Sequence, residues 1–131
     1  MENCIFCKII KGEIPCSKIY EDKEILAFLD INPVNYGHSL VIPKNHFKMM
    51  VDVPNEDLSN IFLKSKELMK IIRETVKADY VAVSVVGIDV PHFHVHLVPR
   101  YFNDGMANFW PTKKYGEGEI QKIAEKIRRE I

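Results

Sequence analysis

Three of the five histidines in this 131-residue chain fall within the five residues HFHVH, as His92, His94 and His96, separated by Phe93 and Val95. Side chains two apart on a strand share a face, so the imidazoles would line one side while Phe93, Val95 and Leu97 turn to the other. The imidazole side is either a site or a solvated sheet face. Same-face Cα atoms lie about 6.6 Å apart, which separates the outer pair by about 13 Å, whereas nitrogens bound to one ion sit within about 4 Å of each other. A straight strand therefore cannot gather all three on one metal, although two neighbours could share one. Divided labour is the expectation: one ring ligates, one attacks and one assists. A neutral imidazole is a nucleophile near neutral pH, and a second can hydrogen-bond the oxygens that gather charge in phosphoryl-type transfer.

The elements that would position these rings are legible from periodicity. KIYEDKEILAFLD (18–30) reads as two short strands about a charged turn and HSLVIP (38–43) as a third, with turn-rich NPVNYG between them. From Glu56 to Lys77 the residues Leu58, Ile61, Phe62, Leu68, Met69, Ile72 and Val76 keep a helical period, with Asn55 as the expected N-cap. Tyr80–Val86 has the β-branched density of a buried strand and would pair antiparallel with the histidine strand. A second amphipathic helix carries Ile120, Ile123, Ala124, Ile127 and Ile131 on one stripe. Two strand groups alternating with two helices predict an α+β fold.

The bulk composition bounds the partners. Eighteen basic and eighteen acidic residues cancel, leaving no basic excess for a nucleic-acid backbone or a membrane surface, and no long apolar run or leader-like segment is present. These features predict one soluble, cytoplasmic domain spanning 1–131. Three cysteines argue against a disulfide framework; Cys4 and Cys7 form a CxxC that by itself fits zinc, redox chemistry or chance, and Cys16 reads as a free thiol.

From His92 to Val98 the order His-φ-His-φ-His-φ-φ is complete, and with CIFCKIIKGEIP, YEDKEILAFLDINP and GHSLVIPKNHF the chain resembles the histidine-triad (HIT) superfamily, in its nucleotide phosphoramidase and nucleotidyl hydrolase branch. The segment from about 101 to 131 falls outside the resemblance. The resemblance implies a five-stranded antiparallel sheet that pairs with a second copy into a ten-stranded homodimer. It implies cleavage at the α-phosphate of a purine nucleoside phosphoramidate or related nucleotide, with His94 attacking phosphorus, His96 bonding the phosphate oxygens, and a nucleoside monophosphate released. Phe6, Ile9, Phe28, Leu29, Asp30 and Ile31 would form the base and ribose wall, with Asp30 on the ribose hydroxyls. On residue type alone Phe6, Ile9, Phe28 and Ile31 read first as plain core, and Asp30 reads as well as a turn cap as a ribose contact. His38 would be a buried, hydrogen-bonded histidine. The same likeness gives Cys4, Cys7, His46 and His92 to a structural zinc, with no organic cofactor.

Two departures bear on the substrate. Where the family reads Gly-Gln-Ser/Thr-Val, this chain has Gly87-Ile88-Asp89-Val90. Ile88 cannot donate an amide hydrogen bond to phosphate, and Asp89 brings a carboxylate to the leaving-group side, which favours amine over polyphosphate leaving groups unless Asp89 merely caps a turn. Arg100 could reach phosphate, and Trp110 with Tyr101, Phe102, Phe109 and Tyr115 could stack on a base. Two other readings are a nucleotide-binding regulatory module with little activity and a hydrolase whose triad holds a catalytic metal.

Overall fold

A computed structural model describes residues 3–106 and 111–131. Five strands form one antiparallel sheet: β1 (Lys18–Glu21), β2 (Ile25–Leu29), β3 (Ser39–Pro43), β4 (Tyr80–Ser84) and β5 (Val95–Arg100), in the spatial order β1-β2-β3-β5-β4. Three α-helices accompany it: α1 (Ile5–Ile10), α2 (Asn55–Val76) and α3 (Glu119–Arg129). The α+β expectation holds, with the five strands where the periodicity put them.

Period-two alternation sorts β2 and β3 onto two cores. Ile25, Ala27 and Val41 join Phe93, Val95 and Leu97 under Ile61, Leu68 and Ile72 of α2. Leu26, Phe28, Leu40 and Ile42 face the other way and pack with Cys4 and Phe6 beneath α1. Leu26 pairs with Ile42 and Phe28 with Leu40, so each cross-strand pair serves a single face. Burial on both faces explains why β2 and β3 read as nearly continuous apolar runs rather than an alternation.

The boundaries shift in three places. Helix α2 begins one residue early; Asn55 is its first residue, Pro54 is the cap, and no side chain caps it. The proline supplies a preset φ and Asn55 loses its capping role. Strand β4 ends at Ser84 rather than Val86. Strand β5 starts at Val95 rather than His92 because the ladder to β3 closes at the Val41–Val95 pair and Phe93 N–H instead donates to Phe47 O at 2.6 Å. The triad thus straddles the strand's beginning. Helix α1 was not expected: six residues, IFCKII, are too few to establish a period. Its position overturns the alternative of a solvated histidine face, since α1 and Phe6 roof it.

Helix α3 presents Ile120, Ile123 and Ile127 outward and has no buried residue. Among the described residues no helix is long and apolar enough to cross a membrane. Trp110 and Phe109 lie outside the described residues.

Candidate active site and metal tetrad

The three triad rings have different hydrogen-bond partners, which fix where each carries its proton. Carbonyls only accept, so a ring nitrogen bonded to one must carry the proton, and in a neutral imidazole the other nitrogen then holds the lone pair. His92 Nε2 donates to Pro43 O at 2.8 Å, which leaves Nδ1 free to ligate. His94 reverses this: Nδ1 donates to His92 O at 2.7 Å, so the lone pair sits on Nε2. That Nε2 is buried and, among the described residues, has no hydrogen-bond partner.

The third ring is set through His38. Val34 N–H donates to His38 Nδ1 at 3.1 Å, which puts the His38 proton on Nε2, 2.9 Å from His96 Nδ1. His96 therefore accepts at Nδ1 and keeps its own proton on Nε2. A nucleophilic lone pair on His94 and an N–H donor on His96 stand side by side, with ring centroids 4.9 Å apart. His38 follows Gly37, whose φ of +98° belongs to the left-handed region, and a Cβ there would meet Val76 Cγ1 at 3.1 Å. Glycine at 37 lets the chain turn so that His38 enters the sheet beneath His96.

Burial holds His38 and His96 below the ordinary histidine value; for His96 the neighbouring His94 and His38 add to the depression, while Asp89 and Asp30 oppose it. The unfolded chain takes up these protons near pH 6.5 and the folded protein only at lower pH, so both rings contribute full stability above about 6.5 and lose it as pH falls. Chemical denaturation at pH 7.5, 6 and 5 is expected to show stability declining toward acid, with a shallower decline in His38→Phe. A flat profile would mean that the two rings charge without cost.

Cys4, Cys7, His46 and His92 form a second constellation. Cys4 Sγ lies 3.4 Å and Cys7 Sγ 3.5 Å from His92 Nδ1, Cys7 Sγ is 3.3 Å from His46 Nδ1, and the two Nδ1 atoms are 3.2 Å apart. Tetrahedral zinc with ordinary bond lengths puts sulfur and nitrogen about 3.5 Å apart and two nitrogens about 3.3 Å apart. The tetrad fits. Cys7 N–H donates to Cys4 Sγ at 3.4 Å across the first turn of α1, which turns both sulfurs to one side. Burial and the Cys4 thiol push the Cys7 thiol upward, opposite to what a redox-active CxxC needs. Asp30, His38 and His96 also lie close enough to share an ion, yet the 2.9 Å between the two imidazole nitrogens is hydrogen-bond length, shorter than the tetrad's nitrogen pair.

The remaining expected residues divide. Phe6, Ile9 and Phe28 pack in the cluster beneath α1, Phe6 edge-on to His94 with centroids 5.0 Å apart and perpendicular rings. Phe6 and Phe28 are buried there and Ile9 is partly buried. Leu29 and Ile31 face solvent, Ile31 being 90% exposed. Asp30 does cap a turn, accepting from Asn32 N–H at 2.9 Å, and its other oxygen is 3.6 Å from His38 Nε2. Asp89 caps no backbone amide among the described residues; its carboxylate instead lies 3.6 Å from His94 Nε2. Asp104 engages Arg100 through Nε at 2.6 Å and a second nitrogen at 3.2 Å. Reasoning from sequence left His38 without a partner, although its place beside His96 controls which nitrogen of that ring donates. A cleft of about 140 Å³ adjoins His94, lined in part by Lys48, Met49, Met50, Val86 and Gly87.

Comparison with known proteins identifies the family and agrees with the fold. An adenosine 5'-monophosphoramidase of Schizosaccharomyces pombe is 37% identical over 98% of this chain and 98% of its own. An adenylylsulfatase of Arabidopsis thaliana is 36% identical over 98% of this chain and 70% of its own. The crystal structure of a HIT family member from Bacillus subtilis superposes with a TM-score of 0.85 at 36% identity, covering 98% of this chain and 97% of that one. A zinc-bound histidine triad family protein from Mycobacterium smegmatis superposes at 0.77 with 29% identity, each chain covered to 99%. The HIT domain model matches residues 11–103, which take in His94, His96 and their whole supporting sheet, and the chain belongs to that family.

Proposed function

We propose that this protein cleaves purine nucleotides at the α-phosphate through a nucleotidyl-His94 intermediate, releasing a nucleoside monophosphate. The observation that carries the reading is the opposed proton placement on neighbouring rings, a free Nε2 lone pair on His94 and an Nε2–H on His96. In the first step His94 Nε2 bonds to phosphorus as the bond to the leaving group breaks, while His96 donates to a phosphate oxygen where charge accumulates. Water then attacks phosphorus and returns the lone pair to Nε2. Two of its relatives are named for the hydrolysis of adenylyl compounds, a phosphoramidate and a sulfate.

The nucleoside would enter on the Asp30 side, with Leu29 and Ile31 exposed to a base, Asp30 toward the ribose, and Phe6, Ile9 and Phe28 shaping the floor. The His94 side chain is 0% exposed, so substrate must displace the Gly87–Val90 loop or the roof of α1. The tetrad would hold a structural zinc through both thiolates and the Nδ1 atoms of His46 and His92. Zinc there would anchor α1 to the strand ends and fix the His92 carbonyl that orients His94. Pairing with a second copy along the outer edge of β4, where Val83 and Val86 are exposed, would extend the sheet to ten strands. We read the whole chain as one cytoplasmic domain. The closed cover over Nε2 is the feature that favours a regulatory, nucleotide-binding role instead.

His38 supplies a test that does not touch the nucleophile. Without the His38 Nε2–H bond, His96 is free to move its proton to Nδ1 and present a lone pair to phosphate. His38→Ala is expected to lower kcat about 10- to 100-fold, the usual scale for a supporting partner of a functional histidine, with little change in KM. An effect confined to melting temperature would reject the tautomer argument.

A further inference from the structure

The site has a direction. Asp30 lies 3.6 Å from His38 Nε2, His38 is 2.9 Å from His96, His96 neighbours His94, and Asp89 Oδ1 lies 3.6 Å beyond His94 Nε2. Carboxylates thus close the row of imidazoles at both ends. With the nucleoside on the Asp30 side, a group expelled by in-line attack departs on the side of the loop that carries Asp89.

Asp89 is not neutralised there. It is 67% exposed and, among the described residues, forms no ion pair with any lysine or arginine; Lys48, a lining residue of the cleft beside His94, forms none with it. Its one close partner is the nitrogen whose lone pair must face phosphorus, and a carboxylate aimed at a lone pair gains nothing from it. Gly87 starts this loop at φ +74°, a conformation that glycine adopts freely. Phosphorus approaching Nε2 takes the place the carboxylate holds at 3.6 Å, so the loop moves outward as substrate enters and the carboxylate then faces a positive or proton-bearing group on the far side of phosphorus.

We propose that Asp89 selects the leaving group, admitting amines and disfavouring sulfate, phosphate and polyphosphate. The inference rests on the hydrolase reading above. With a phosphoramidate, the His94 Nε2 lone pair forms the N–P bond as the P–N bond breaks. The freed electron pair stays on the leaving nitrogen, which takes one proton from solvent and leaves as a neutral amine. Asp89 accepts a hydrogen bond from that N–H throughout. Water then cleaves the His94–phosphorus bond, giving the nucleoside monophosphate and returning the proton. With adenylyl sulfate the departing group takes no proton and leaves as a dianion past a carboxylate, so repulsion grows as the bond breaks. The two relatives named above handle these two leaving groups, and Asp89 places this chain with the first.

The test compares kcat/KM for adenosine 5'-phosphoramidate and adenylyl sulfate, both of which yield adenosine monophosphate, in wild type, Asp89→Asn and Asp89→Ser. The amide is nearly isosteric and removes only the charge; the serine variant covers a loop that refuses asparagine. The phosphoramidate-to-sulfate ratio is expected to fall at least about 10-fold in either variant, chiefly through faster sulfate cleavage, and the wild-type ratio to shrink at high salt. A ratio unchanged within about 2-fold, in a wild type that does turn over phosphoramidate through a His94 adduct, overturns the role of Asp89 alone. Absence of turnover of either compound by wild type overturns the hydrolase reading and this inference with it.

Discussion

Replacing His94 with alanine is expected to lower kcat by about 10⁴-fold or more, the scale seen when a covalent nucleophile is removed and only binding and electrostatic stabilisation remain. No neighbouring nitrogen can stand in. His92 Nε2 is committed to Pro43 O and its Nδ1 to the cysteine cluster, and the neutral His96 ring has its lone pair turned to His38. Affinity for adenosine monophosphate should change only a few-fold, because the Asp30 and His96 contacts survive. Wild type quenched in acid-free denaturant during turnover should carry one nucleotidyl group on His94, seen by peptide mass analysis; the variant should carry none. His96→Ala removes one donor to the phosphate oxygens and is expected to cost about 10²- to 10³-fold, clearly less than the loss of the nucleophile. Turnover retained in His94→Ala would end the covalent mechanism. Tight nucleotide binding with no turnover of any adenylyl compound by wild type would instead favour the regulatory role.

The elements that carry the site could be read from the sequence because each obeys a simple period. Leu26, Phe28, Leu40 and Ile42 alternate with Ile25, Ala27 and Val41, and α2 keeps its stripe over 22 residues. Strand spacing led to the expectation that three rings unable to converge on one ion would do different things, and the three have different hydrogen-bond partners. What could not be read is which nitrogen of each ring holds the proton, since that depends on carbonyls distant in sequence, Pro43 for His92, and on His38 for His96. Helix α1 was hidden for another reason. Its six residues are held by the sheet beneath and by the cysteine cluster rather than by intrinsic helicity, which a segment so short lacks. Phe6 and Phe28 have the same residue type whether they floor a pocket or fill a core; in the structure they are buried and pack edge to face with centroids 5.5 Å apart, whereas Ile31, which residue type also read as core, is 90% exposed.

The tetrad supports the second large effect. The double variant Cys4→Ser/Cys7→Ser is expected to bind no zinc, against one per chain in wild type, because a serine hydroxyl is not deprotonated at neutral pH as a metal-bound thiol is. Losing the ion releases α1, and with it the roof that Cys4 and Phe6 make over Leu26, Leu40 and Ile42. A cost of about 3 kcal/mol, the lower end for breaking a buried ionic cluster, would lower the melting temperature by about 10 °C in a domain of this size. The sheet and the His38–His96 pair need no metal, so turnover should survive below the new melting temperature, reduced by looser seating of the His92 carbonyl that holds His94 Nδ1. Chelator applied to wild type should reproduce both effects together. If stripping the metal abolished turnover and left the melting curve unmoved, the ion would belong to the chemistry, and Asp30, His38 and His96 would become the ligands to examine.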